Sequence, residues 1–336
     1  MPAQPQRSDA SAAVRTFHSL RRHSLQSMVS PLEECARLRQ ALPDAPRIFI
    51  KRDDYLGFLL GGNKLRKLEY IFADALQQGA TTVMTIGPIQ SNHARVTAMV
   101  ARRLGLKCCL VLSGAPPVDK RANFLIVKML GVEIRFVPRR EDREAAMAAW
   151  ADELEGRGER VYCIPLGGTN DIGSFGFVAA LEELYTQDPL LVQRLSAIII
   201  ASSAGGSQVG LEVGKRLFNL RGLRVIGVSP DEPADVIRAN VVRWVNPMLE
   251  RLGIQENVSA EEVVADDSQV GKGYRIPTAA SEEAARVFVE LEGILLDHAY
   301  TSKAAAALLS YCRSGRFSSN ENVLFWHTGG LVALFE

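Results

Sequence analysis

The chain of 336 residues carries 39 Lys and Arg against 38 Asp and Glu, a formal net charge of +1, with 47% apolar and 23% charged residues. That balance presents no charged surface to nucleic acid or an anionic membrane, and the length allows one large or two medium domains. No apolar run reaches the roughly 20 residues that cross a bilayer, and the cysteines at 35, 108, 109, 163 and 312 form no CxxC pair, which disfavours zinc or a disulfide framework and suits a reducing cytoplasm.

Residues 1–25 lack an apolar signal core and read as a flexible tail, with a transit peptide as the alternative. A strand is expected over 47–54, then a helix over 64–79, a strand over 81–87, a helix over 91–106 and a strand over 107–114. A helix at 120–132, a strand at 133–138, a helix at 140–158 and a strand at 161–168 follow. The theme repeats with a helix at 173–187, a strand and loop at 195–206, a helix at 207–219 and a strand at 224–230. Helices at 232–254, 280–293 and 301–313 and a strand at 322–330 close the chain. Strand–helix alternation predicts parallel sheets covered by helices. It runs too long for one sheet, and no repeat or linker separates halves, so two interleaved α/β domains are expected. Their crevice should lie at strand C-termini.

Five loops follow strands or open helices there: "GGNKLRKLEY" (61–70), "GPIQSNHAR" (87–95), "GGTNDIGSFG" (167–176), "SSAGGSQVG" (202–210) and "HTGG" (327–330). Glycines and small polar side chains let backbone N–H groups approach an anion. The loop 202–210 is the best phosphate cradle. It has neither the P-loop lysine nor GxGxxG spacing, which favours a cofactor with one phosphate over a nucleotide; the alternative is a glycine-rich turn ending a strand. Lys64, Arg66 and Lys67 crowd a helix start, where the macrodipole already disfavours cations. A phosphate there, together with a lysine that forms an imine, is the chemistry of pyridoxal 5′-phosphate. Lys67 is expected to lower the Lys64 pKa by its charge; a solvated surface lysine is the alternative for Lys64.

Taken in order, "KRDD…GGNKLRKLEY", "QSNHAR", "GGTNDIG", "GGSQ.GL" and "HTGG..ALF" resemble the D-cysteine desulfhydrase / 1-aminocyclopropane-1-carboxylate (ACC) deaminase family of fold type II pyridoxal-phosphate enzymes, from about residue 30 onward. The resemblance implies two three-layer α/β domains with twisted, mostly parallel sheets and the cofactor between them. The large domain would comprise 26–66 plus 176–336 and the small one 67–175. Lys64 would be the Schiff-base lysine and acid/base, and Lys67 would hold the phosphate with Ala204, Gly205, Gly206 and Ser207. Asn92 would bond the ring's phenolic oxygen. Ser91 would bind the substrate carboxylate beside the reacting carbons, with Gln90, Asn92 and His93 on the same loop. Tyr274 and Tyr300 would line the substrate side as catalytic groups. Thr301 or Thr328 would sit near the pyridine nitrogen. No metal is implied, and the enzyme would be a cytoplasmic homodimer acting on a small amino acid.

The resemblance implies α,β-elimination, D-cysteine giving pyruvate, hydrogen sulfide and ammonia. Thr301 and Thr328 stand where ACC deaminases resemble "YEGK" and "HLGG", which favours the desulfhydrase side. ACC deaminase, a lyase for L-cysteate or β-chloroalanine, and a catalytically silent binding protein are the alternatives. Ser203, Ala204, His298 and Ala299 depart from the family pattern. Arg66 is assigned to the surface or a salt bridge, Asp53 and Asp54 to salt bridging from opposite faces of a strand, balanced by Lys51 and Arg52, and His327 to packing.

Overall fold

The computed structural model describes residues 7–26, 28–57 and 60–336. In chain order the elements are α1 (Arg7–Ser19), β1 (Leu32–Glu34), α2 (Ala36–Ala41), β2 (Arg47–Arg52), α3 (Lys64–Gln77), β3 (Thr82–Pro88) and α4 (Asn92–Arg103). There follow β4 (Lys107–Ser113), α5 (Ala122–Met129), β5 (Glu133–Val137), α6 (Arg143–Glu155), β6 (Val161–Ile164), α7 (Phe175–Gln187) and α8 (Pro189–Gln193). The chain ends through β7 (Leu195–Ala201), α9 (Gly206–Leu217), β8 (Arg224–Val228), α10 (Ala234–Arg251), β9 (Val264–Asp266), α11 (Ala279–Glu292), α12 (Thr301–Arg313) and β10 (Asn322–His327).

Fully apolar strands such as "AIII" in β7 and "CCLVL" in β4 are buried on both faces, as parallel strands between helices must be. One sheet runs β1-β2-β10-β7-β8-β9 and the other β5-β4-β3-β6. Every pairing is parallel except β1 with β2. Residues of α2, α11 and α12 pack one face of the larger sheet, and α7, α8 and α9 the other. On the smaller sheet α3, α4 and α5 pack one face and α6 the other. Both sheets are therefore the middle layers of three.

The chain crosses to the smaller sheet through α3 and returns through α7. The two helices meet backbone to backbone: a Cβ on Gly176 would lie 2.2 Å from the Arg66 carbonyl oxygen. Gly210 does the same for α9 against α7, 2.2 Å from the Ser174 carbonyl oxygen.

The expectation of a flexible tail is corrected for residues 7–25, while residues 1–6 lie outside the described residues. Ala13 and Phe17, four apart on α1, form a short apolar stripe that is buried with Tyr70, Phe175 and Val213. The segment that follows wraps the Glu69 carboxylate of α3, which accepts from Arg22 Nε (2.7 Å), Leu25 N (2.8 Å) and Gln26 N (3.0 Å). Asp53 and Asp54 form ion pairs as expected, Asp54 with Arg52 (2.8 Å) and Asp53 with Arg66 (2.7 Å), but their placement is corrected. They lie in a 3-10 turn (Asp53–Tyr55), not a strand. Asp53 is buried and accepts from Arg66 Nε and Nη2, Ser30 Oγ and Trp326 Nε1, at 2.7–2.9 Å. Arg66, which also binds Glu183, is thus the buried centre of an ion network rather than a surface cation.

Candidate active site

Four of the glycine-rich loops converge at strand C-termini, and their contacts define one cleft. Gly61 and Gly62 have φ of +65° and +110°, a backbone that turns the chain sharply before α3. The "HTGG" loop presses on them: Asn63 N donates to the Thr328 carbonyl (3.0 Å), and a Cβ on Gly329 would lie 2.6 Å from Gly62 Cα. Lys64 is the first residue of the helix. Burial alone lowers its pKa to about 8, so the expected contribution of Lys67 is not the cause. The effect of charge runs the other way, with burial and then Lys64 pushing Lys67 well below its ordinary value.

Lys67 Nζ donates to the Gly167 carbonyl and Thr169 Oγ1, both at 3.2 Å. A buried amine whose hydrogen bonds among the described residues go to neutral oxygens at that length is poorly compensated when charged and suits an anion. The cradle stands against it. Gly205, φ +82°, caps α9, and a Cβ on Gly206 would lie 2.5 Å from Lys67 Nζ and 2.6 Å from Thr169 Oγ1. Ser207 Oγ accepts from Asn63 Nδ2 (3.1 Å), leaving its own proton to donate. Ser203 turns away to Asp231 Oδ2 (3.1 Å), so its departure from the family pattern does not enter the cradle. The amides that open α9, two hydroxyls and the Lys67 amine fit a phosphate monoester, and Lys64 beside them fits an aldehyde.

Ser91 caps α4, accepting from Ala94 N at 3.1 Å. Asn92 is oriented by Arg95 and Asn123, neither of which the motifs mark as a site residue. Arg95 Nε, which can only donate, binds Asn123 Oδ1 (2.6 Å); Asn123 Nδ2 then donates to the Gln90 carbonyl and to Asn92 Oδ1, both at 3.0 Å. This chain of polarity leaves Asn92 Nδ2 as the donor facing outward, the correct sense for a phenolate oxygen. Tyr274 Oη and Tyr300 Oη are 2.5 Å apart. Burial raises the pKa of both, so both are neutral phenols at neutral pH.

Three expected roles do not survive in that form. Thr301 Oγ1 accepts from Asp297 N (2.8 Å) and donates to Asp297 Oδ1 (2.7 Å), so it has no proton left for a ring nitrogen. The Gln90 amide is used at both ends by α5, on the Arg121 carbonyl (3.3 Å) and Phe124 N (3.2 Å). His93 is buried, with one ring nitrogen committed to the protein. Its Nε2 meets Thr85 Oγ1 (2.9 Å), whose proton is committed to the Ile164 carbonyl (2.8 Å), so Nε2 carries the hydrogen. Its Nδ1 is buried without a partner among the described residues. Burial, then Lys64 and Lys67, keep the ring neutral. His327 is a packing residue, as expected, with Nε2 on the Leu295 carbonyl (2.8 Å) and Nδ1 accepting from Gly329 N (3.1 Å).

Residues 24–329 match the family model of the pyridoxal-phosphate dependent enzymes. The chain belongs to this family. Among curated proteins, this pyridoxal-phosphate enzyme is 37% identical to a D-cysteine desulfhydrase of Yersinia pestis over 320 residues, 94% of this chain and 95% of that one. It is 36% identical to the D-cysteine desulfhydrase of Salmonella typhi, over 91% and 93% of the two chains. Among solved structures, an ACC deaminase homologue superposes with a TM-score of 0.88 at 31% identity, covering 96% of both chains. A pyridoxal 5′-phosphate-dependent aspartate racemase, at 17% identity and a TM-score of 0.67, shares the fold. The architecture is that of a fold type II pyridoxal-phosphate enzyme, and the cofactor is pyridoxal 5′-phosphate.

Proposed function

We propose that the enzyme is a lyase that eliminates the β-substituent of a small amino acid, with D-cysteine and water giving pyruvate, hydrogen sulfide and ammonia. The observation that carries this reading is the likeness to D-cysteine desulfhydrases along more than nine-tenths of both chains. The phosphate would be held by Ala204, Gly205, Gly206 and Ser207 with Lys67 and Thr169 beside them, and Asn92 Nδ2 would donate to the ring's phenolic oxygen. Thr328 would supply the hydroxyl at the pyridine nitrogen, since Thr301 is committed to Asp297. A hydroxyl there would leave the nitrogen near neutral, which suffices when an α-proton is lost and a good leaving group departs. This supports elimination over cyclopropane opening.

Pyridoxal phosphate, when bound, takes up the electron pair left on the α-carbon. Lys64 would attach the cofactor and its amine would carry the α-proton; burial lowers its pKa to about 8, which brings the free base within reach near neutral pH. Ser91 and the first N–H groups of α4 hold the substrate carboxylate. The neutral Tyr274–Tyr300 pair faces the β-substituent and supplies a proton to the departing sulfur. We further read the enzyme as a cytoplasmic homodimer, divided into 26–66 plus 176–336 and 67–175, with no nucleic-acid or membrane partner. In support, the net charge is near zero and no helix of the described residues is long and apolar enough to cross a membrane.

The test is release of 2-oxo acids from D- and L-cysteine, cysteate, β-chloroalanine, D-serine and ACC. Pyruvate from D-cysteine and no 2-oxobutanoate from ACC is expected. 2-Oxobutanoate from ACC overturns the reading in favour of a deaminase. A cofactor-loaded protein that turns over no substrate would revive a silent binding protein.

A further inference from the structure

Lys303 has no part in the roles above. It lies in the first turn of α12, three residues after Tyr300, and its side chain is fully buried, with 0% exposure. Its ammonium donates to three backbone carbonyls: Val270 (2.8 Å), Pro230 (2.9 Å) and Gly273 (2.9 Å). Three protons meet three oxygens. Among the described residues no carboxylate forms an ion pair with it; Asp231 acts only through space. Carbonyl oxygens gathered on one buried cation, without a counter-carboxylate, are the chemistry of a monovalent-cation site.

The three oxygens come from two separate stretches. Pro230 follows β8 and adjoins Asp231, the partner of Ser203 beside the cradle. Val270 and Gly273 belong to the loop between β9 and α11, and Gly273, φ +123°, immediately precedes Tyr274. The backbone bonds of that loop are mostly local turns: Val270 N to Asp267 O (3.1 Å), Gly273 N to Val270 O (3.2 Å) and Ile276 N to Gly273 O (3.3 Å). Beyond these turns the loop is tied by Asp267 Oδ2, which accepts from Ala234 N (2.9 Å), and by Arg275, which pairs with Glu336 and donates to the Gln90 carbonyl (3.5 Å). The stretch from 270 to 274 is held at α12, which grips it twice. Tyr300 takes the Tyr274 hydroxyl, and Lys303 takes the backbone just before it.

We propose that Lys303 is a positioning residue, a tethered cation that gathers the carbonyls of 230, 270 and 273 and thereby aims Tyr274 into the cleft. The proposal rests on the reading of Tyr274 as a substrate-facing group. Without the side chain the same oxygens would frame a cavity suited to ammonium or potassium.

Lys303→Ala and Lys303→Met holoenzymes test this, assayed in tetramethylammonium salts and then with potassium or ammonium added. Lys303→Ala should lose ~10- to 100-fold in kcat, the scale of an ångström's misplacement, while keeping its cofactor absorption band. Potassium or ammonium should restore it saturably. Lys303→Met fills the space with no donor and should stay low in every salt, and the wild type should be indifferent to the cation. Should Lys303→Ala unfold too readily to assay, a saturable rise of its melting temperature in potassium, absent in Lys303→Met, reads the same site. Wild-type kcat in Lys303→Ala, a loss that no cation restores, or equal salt responses in both variants overturns the proposal. Tyr274→Phe separates the two readings. If it retains full kcat, the role of Tyr274 fails; if it loses kcat while Lys303→Ala does not, the role of Lys303 fails.

Discussion

Gly206→Ala puts one methyl group where the cofactor's phosphate is expected. The added Cβ falls 2.5 Å from Lys67 Nζ and 2.6 Å from Thr169 Oγ1. Ordinary contact needs about 3.5 Å, so each group must retreat by about 1 Å. The Lys67 bonds to Gly167 and Thr169 are already 3.2 Å long and have no slack. Losing one charge-assisted bond to the phosphate costs roughly 1.5–3 kcal/mol, which weakens cofactor binding by roughly 10- to 150-fold. Titrating the apoprotein with pyridoxal phosphate, followed by the visible band, measures this directly. Gly205→Ala is the control. Its Cβ meets only a side-chain methyl at 3.4 Å and neighbours beyond, but φ is +82°, so it should lower stability by about 1–2 kcal/mol and change affinity far less. Equal affinity in Gly206→Ala and wild type would refute the placement of the phosphate.

Because burial holds the Lys64 amine to about 8, capture of pyridoxal phosphate by the apoprotein should quicken with pH through a midpoint near that value. The amine is protonated below it and free above it; a midpoint near 10 contradicts the burial argument. Burial pushes the Glu183 carboxyl up, but Arg66 and Lys51 outweigh it and hold the pKa down to about 2. Its stabilising contribution is complete above the ordinary 4.5 and is lost as pH falls toward 2. Glu183→Gln should cost ~3–5 kcal/mol at pH 7 and much less at pH 3, by urea unfolding at both; a gap independent of pH argues against the pairing. Asn123→Asp places an oxygen against Asn92 Oδ1 and should turn the Asn92 amide. The cofactor's visible band should then titrate at a different pH, with kcat reduced by about tenfold; an unchanged band sinks the orientation argument.

Lys64 and the Ala204–Ser207 cradle were legible because each is a local signal, a helix start with surplus charge and a strand running into glycines. The residues that finish the site were not, because their partners are remote. Asn63 meets Ser207 across 144 positions, Lys67 meets Thr169 across 102, and Arg95 meets Asn123 across 28. Arg66 is left between the surface and a salt bridge for the same reason: Glu183, one of its two carboxylate partners, lies 117 positions away. Thr301 misled because a threonine just inside a helix start serves equally as a local hydrogen-bonding partner, here to Asp297. The alternating core elements followed from apolar pattern. The edge strands β1 and β9, three residues each, are too short to show any period.

The contact of α3 with α7 at Gly176 joins the two crossings of the chain at one point. Both covalent crossings between the sheets run through these two helices, and they touch at the Arg66 carbonyl, two residues from Lys64. A rotation of the smaller sheet about that contact would move Lys64 least and would carry Ser91 and Asn92, at the start of α4, further.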